Sequence, residues 1–211
     1  MIALLAFSLF AHAVDRDVAE HTRLSGEIEQ LASRQLWLGV EKKYVELDKL
    51  GVELSFDDLM HGAYAARALG NMQGAYIRLK AASKIKTTKD VIETMYAIDE
   101  NYGLVELITV PPRGDVLSVA ESPFDPDQRT AVDAAVVIVK EKGVYRGLLP
   151  KGKYVFAGQS FTVEPGIGLK IEVSPRMKKT SGEVVKVATT PTWGSGADDG
   201  ETPPESPPQK P

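Results

Sequence analysis

The sequence predicts an α+β protein: N-terminal antiparallel helical hairpins, followed by a small antiparallel β-sandwich-like domain with one inserted helix. Three observations predict it. Residues 54–86 carry two apolar stripes of helical period on either side of Gly70-Asn71. After Gly103 the apolar residues become β-branched and fall into short runs separated by Pro and Gly turns. Between those runs, Asp125-Pro126 opens a helical stretch that Gly143 closes. The expected organisation is a signal peptide at 1–13, a helical domain at 17–102, and a β-rich domain at 103–175 containing helix 126–142. A Pro-rich disordered tail at 187–211 completes it.

Residues 1–13 form an apolar run too short to span a bilayer. Ala11-His12-Ala13 places small residues at the −3 and −1 positions of a signal-peptidase site, so cleavage after Ala13 is expected. No Lys or Arg precedes the run, which departs from the usual export signal; a buried or anchoring segment is the alternative. Two helices follow between Asp17 and Leu50, the second with Trp37, Val40, Tyr44 and Leu47 inward and Gly51 at its end.

The third helix starts at Ser55, an N-cap whose hydroxyl can accept the Asp58 amide. Leu54 and Leu59 are spaced as a hydrophobic staple, and Asp57 and Asp58 suit the positive end of the dipole. Its inward stripe is Leu59, Ala63 and Ala66, and Gly70 stops it. The fourth helix answers with Ala75, Leu79 and Ala82. Thr88 caps a fifth, which carries Ile92, Met95, Tyr96 and Ile98 and ends near 101–103.

Strands are expected at Leu104–Val110 and, as its hairpin partner, Val116–Val119. Asp125 caps the next helix, with Pro126 at N1, Gln128 at N3, and Lys140 and Lys142 at the negative end. That helix is apolar around most of its circumference and should be deeply covered. Strands at Tyr145–Leu149, Lys153–Ala157, Phe161–Val163 and Gly168–Val173 follow. From Thr189 the chain is rich in Pro, Thr, Gly and acidic residues, too polar to offset its ordering entropy.

The hairpin at 54–86 resembles the tetratricopeptide repeat, which wants small residues where Ala63, Ala75 and Ala82 stand and often Gly where Gly70 stands. The family's Trp position holds Leu59, its Leu-Gly pair is Gly62-Ala63, its second-helix aromatic is Leu79 and its terminal Pro is Thr87. The match is to the packing skeleton. Shifting back 35 residues lands on Leu24, Ile28, Leu31, Val40, Tyr44 and Leu47, all apolar. Two copies fall short of a self-sufficient solenoid, so the ends must dock elsewhere. Further on, Gly147-Leu148-Leu149-Pro150-Lys151-Gly152-Lys153-Tyr154 resembles the Leu-Pro-x-Gly-x-Tyr turn of carboxypeptidase-regulatory-like and PEGA-type domains. The resemblance implies that the turn joins two strands and that Tyr154 anchors the core. Helix 126–142 is foreign to that pattern.

Bulk numbers bound the function. The chain has 211 residues, 43% hydrophobic and 26% charged, ordinary for a globular protein. A net charge of −4 without a basic block argues against nucleic acid and anionic lipid. The absence of cysteine rules out disulfides, thiolate metal sites and a cysteine nucleophile. Asp57 and His61 share a helix face, but a metal needs a third ligand and none is legible. His21 stands alone. Arg113-Gly114-Asp115 reads as a turn, and Asp125 and Asp127 read as helix-capping residues. Asp115, Glu121, Asp125 and Asp127 still leave a carboxylate pair conceivable. No catalytic, metal or cofactor site is expected.

The expected function is therefore a periplasmic or secreted, non-enzymatic adaptor that binds a protein or peptide partner in the cell envelope. Met60, Tyr64, Arg67, Tyr76 and Arg78, off the inferred core stripe, are the candidate contacts. The alternative is a carbohydrate- or cell-wall-binding module using aromatics near Tyr145, Tyr154 and Trp193. Oligomeric state is open.

Overall fold

A computed structural model of the chain describes residues 3–109, 117–120, 125–173 and 185–187, with side chains described between residues 17 and 173 of those ranges. The protein is α+β: helices first, then small mixed and antiparallel sheets. The helical half comprises α1 (Ala3–Ser33), α2 (Trp37–Asp48), α3 (Phe56–Ala68), α4 (Met72–Ile85) and α5 (Lys89–Asn101). α1 crosses Ala13 without a break, so the expected export segment and the first helix form one element. No helix among the described residues is long and apolar enough to cross a membrane.

Local chemistry sets the boundaries of α3 and α4. Ser55 Oγ accepts the Asp58 amide at 3.1 Å, and the Asp58 carboxylate accepts the Ser55 amide at 3.2 Å, a complete capping box. Gly70 takes φ +78° and ends the turn after α3, where a side chain would be strained. Asn71 then caps α4 by accepting the Gly74 amide at 2.9 Å. Each α3 and α4 stripe residue named above is buried, as are Leu24, Ile28, Val40, Tyr44 and Leu47 upstream; Leu31 is half-buried. The small side chains matter because they let helices approach closely. At Gly62 the approach is closest: the Tyr44 ring of α2 lies where a Cβ would stand.

α5 corrects one expectation. Its buried residues are Val91 and Ile98, while Ile92 and Tyr96 are 54% and 65% exposed. It runs straight into β1 (Tyr102–Thr109) with no loop. The remaining elements are β2 (Leu117–Val119), α6 (Pro126–Lys142), β3 (Val144–Pro150), β4 (Gly152–Phe156), β5 (Gln159–Val163), β6 (Gly168–Val173) and β7 (Val185–Val187).

Positions of strands match the expectation closely; pairings do not. β2 does not form a hairpin with β1; it pairs antiparallel with β4, in a three-stranded sheet ordered β2-β4-β5. β1 sits in the other sheet, β3-β1-β6-β7, antiparallel to β3 but parallel to β6. The expected all-antiparallel unit is therefore corrected to one mixed and one antiparallel sheet. The turn at Pro150-Lys151-Gly152 carries the chain from one sheet to the other. Tyr154 is buried and its hydroxyl donates to the Pro150 carbonyl at 2.7 Å, which braces that corner.

β7 is not legible in the sequence, and it takes Val187 out of the expected tail. α6 begins at its cap as expected, with the Asp125 carboxylate accepting the Asp127 and Gln128 amides, and Gly143 closes it at φ +71°. It is covered on one face only: Ala131, Val132, Ala135 and Val139 are buried, whereas Val137 is 51% exposed.

Successive residues of β3 serve two cores. Leu149 joins the β-unit interior with Tyr154, Phe156 and Ile171. Leu148, pointing the other way, joins Tyr102 and Ala131 in the helical core. On the outer face Glu106, the single charge of β1, pairs with Arg146 of β3 and Lys170 of β6, opposite it in register. That pairing, Arg146 foremost, holds its carboxyl below the usual range.

Candidate functional site

The sequence-derived contact residues separate into two groups. Met60 and Tyr76 are buried, at 8% and 6% exposure, so their placement off the core stripe is corrected. The Tyr76 hydroxyl donates to Asp99 of α5 at 3.2 Å. Arg78 is also turned inward. Its guanidinium donates to both Glu41 oxygens at 2.5 and 2.8 Å and to the Gly62 carbonyl at 2.6 Å, and it lies 3.9 Å over the Tyr44 ring. This arrangement ties α2, α3 and α4 together, and it leaves the Arg78 side chain only 12% exposed.

Tyr64 is half-buried against the helical core and Arg67 is exposed. They sit one turn apart on α3, so their side chains project from neighbouring positions of one face. Tyr64 donates to Asp90 of α5 at 2.6 Å, and burial, then that hydrogen bond, pushes its hydroxyl up to about 12. Arg67 donates to Asp127 of α6 at 2.6 Å, with its side chain 45% exposed. Both polar tips are thus held by carboxylates from neighbouring elements.

Beside Arg67 lies a notch of about 100 Å³ between α5 and the start of α6, lined by Arg67, Thr94, Asn101, Tyr102, Asp125 and Asp127 among others. Its floor is Tyr102, whose hydroxyl is raised by burial and then by the charges of Asp125 and Asp127. The notch suits one side chain of a partner; ligand sites for drug-sized molecules are several times larger. The α3–α6 contact that shapes it is tight. A Cβ on Gly70 would lie 2.5 Å from the Thr130 carbonyl oxygen.

No family model, no curated protein and no solved structure matches this chain.

Two further sequence readings change. His21 is not alone: its Nε2 is 3.5 Å from the Asp58 carboxylate, itself 3% exposed and held by Ser55. Ser25, one turn along α1, has a buried hydroxyl with no hydrogen-bond partner among the described residues. A Ser-His-Asp relay needs the hydroxyl bonded to the imidazole, and that bond is not formed. The sugar-stacking reading loses two aromatics, since Tyr145 and Tyr154 are buried at 7% and 1%. Trp193, Arg113, Gly114, Asp115 and Glu121 lie outside the described residues. No group of three or more His, Asp or Glu among the described residues could hold a metal ion.

Proposed function

We propose that the chain is an exported, non-enzymatic adaptor that grips a protein or peptide segment of the cell envelope through tetratricopeptide-like hairpins, with the sandwich-like β unit bracing their open end. The observation that carries this reading is the α3 face around Tyr64 and Arg67. A half-buried Tyr and an exposed Arg, preset by Asp90 and Asp127, share this face, and Arg67 lines a notch of side-chain size. Tyr and Arg are the residue types most often responsible for interface energy, and presetting their side chains lowers the entropy lost on binding. Burial of Ala63, Ala75 and Ala82 between α3 and α4 agrees with the repeat-like packing. The apolar run and small-residue pattern at 1–13 motivate export.

A photo-crosslinking amino acid at Arg67 tests it in intact cells, with the same group at the exposed Val137 of α6 as control. The expected result is an envelope protein captured from position 67 and not from 137. The combined Tyr64→Ala and Arg67→Ala variant should then lose that partner. Retention of every envelope partner by the folded double variant would sink the reading.

A further inference from the structure

We infer that the exposed face of α5 around Ile92 and Tyr96 is the docking surface for the chain's own C-terminal segment, residues 188–211. The adaptor contacts lie on the opposite side of α5, so the two surfaces stand or fall separately.

Ile92 and Tyr96 stand four residues apart on one side of α5, 54% and 65% exposed. Their neighbours on the buried side, Val91 and Ile98, already fill the contact with α4 and β1. In a stacked helical array this second apolar face is the one a further helix would cover. Here the chain passes directly from α5 into β1, so no sixth helix of the array follows to cover it.

The direction of β7 points the chain that follows it toward the helical half. β7 pairs antiparallel with β6, and β6 is parallel to β1. β7 therefore runs opposite to β1, back toward the helical half. Its last residue, Val187, pairs with Gly168, one residue before the Leu169 that pairs with Val105. That level is Leu104, about 10 Å along β1 from the end of α5 and about 10 Å sideways from β1 at two strand spacings. Tyr96 lies about 8 Å back along α5 from Asn101. Six residues of fully extended chain from Val187 reach about 20 Å, just enough for Trp193 to meet Tyr96 across these offsets.

Segment and face are also complementary. Trp193 is the large apolar residue of the segment, and Asp198, Asp199, Glu201 and Glu205 outnumber Lys210. The N-terminal end of α5 and the end of α4 expose Lys84, Lys86 and Lys89. Lys89 lies about 10 Å beyond Tyr96 along the helix, and the five residues from Trp193 to Asp198 span up to about 17 Å. A segment running antiparallel to α5 thus sets its Trp on the apolar pair and its acidic run on the lysines, in that order.

Trp193 supplies the test. In the full-length Trp37→Phe chain, Trp193 is the only tryptophan. Its acrylamide quenching constant is compared with that of the isolated peptide 188–211. At the effective concentration of about 1 mM that a short tether provides, docking should lower the constant roughly twofold or more. Ile92→Ala with Tyr96→Ala, both at exposed positions, should restore the peptide's value. Lys84, Lys86 and Lys89 changed to Gln, or added salt, should restore part of it. If Trp37→Phe does not fold, the difference between wild type and Trp193→Phe gives the same quantity. Quenching equal to the free peptide, protection that survives the Ile92 and Tyr96 changes, or protection that grows with protein concentration would each overturn the inference. The last outcome would assign the face to a second copy.

Discussion

Gly70→Ala should loosen the junction between the helical half and the β unit. Two separable effects contribute. Gly70 has φ +78°, and an alanine in left-handed backbone costs roughly 1–2 kcal/mol. The new Cβ would also stand 2.5 Å from the Thr130 carbonyl oxygen and 3.0 Å from the Ala131 Cα. An ordinary carbon–oxygen contact is about 3.3 Å, so the turn after α3 and the start of α6 would have to part by roughly 0.8 Å. Forced separation of packed elements typically adds about 1–3 kcal/mol. Gly51→Ala is the matched control, because Gly51 has φ +67° and its added Cβ would meet nothing within 4 Å. It should lose only the backbone part. Urea unfolding followed by far-ultraviolet circular dichroism measures both variants. The expected result is a loss for Gly70→Ala larger than for Gly51→Ala by about 1–3 kcal/mol. Equal losses would refute the close α3–α6 contact and the notch it shapes.

Four other outcomes are expected. Arg78→Ala should cost about 3 kcal/mol in urea unfolding, because it strands Glu41 and the Gly62 carbonyl in a largely buried site; a loss below that of an exposed pair such as Lys89 with Glu93 would contradict the inward placement. Alkaline pH should unfold the protein, since Tyr64 and Tyr76 are both pushed up to about 12, burial being the larger cause. Their folded values lie above the ordinary value near 10, so this stability is intact below about pH 10 and drains away as pH rises toward 12; Tyr76→Phe should flatten that slope in a pH titration of the urea midpoint. Tyr154→Phe should cost roughly 1–2 kcal/mol by leaving the Pro150 carbonyl without its donor at the sheet-to-sheet corner, with an unchanged midpoint as the contrary result. Ala157→Asn should gain about 0.5–1 kcal/mol, because Ala157 and Gly158 form a two-residue hairpin with both φ positive, +50° and +84°, where Asn-Gly is favoured; a lower melting temperature would count against that turn.

What is legible in the sequence depends on distance along the chain. Ser55, Thr88 and Asp125 mark the starts of their helices because a cap bonds amides two or three residues away. The strands from β3 to β6 are legible because their turns carry Pro or Gly and their apolar residues come in short β-branched or aromatic runs. The buried faces of α2, α3 and α4 follow from period alone. The contact residues are less legible. Met60, Tyr76 and Arg78 lie off the stripe shared by α3 and α4, yet Met60 is buried, Tyr76 bonds to α5 and Arg78 bonds to α2, and helical period carries no information about such further elements.

What the sequence by itself determined is the order and type of nearly every described element, the starts of α3, α5 and α6, and the stripes of α2, α3 and α4. Only the tertiary structure decided that β2 joins β4 instead of β1, that β1 and β6 run parallel, and that Arg78 serves Glu41 while Arg67 serves Asp127. The physical reason is reach. Caps, turns and periodicity are set by bonds spanning a few residues. Sheet membership and ion-pair choice join residues tens of positions apart, and they are fixed by which surfaces bury together once the chain has collapsed.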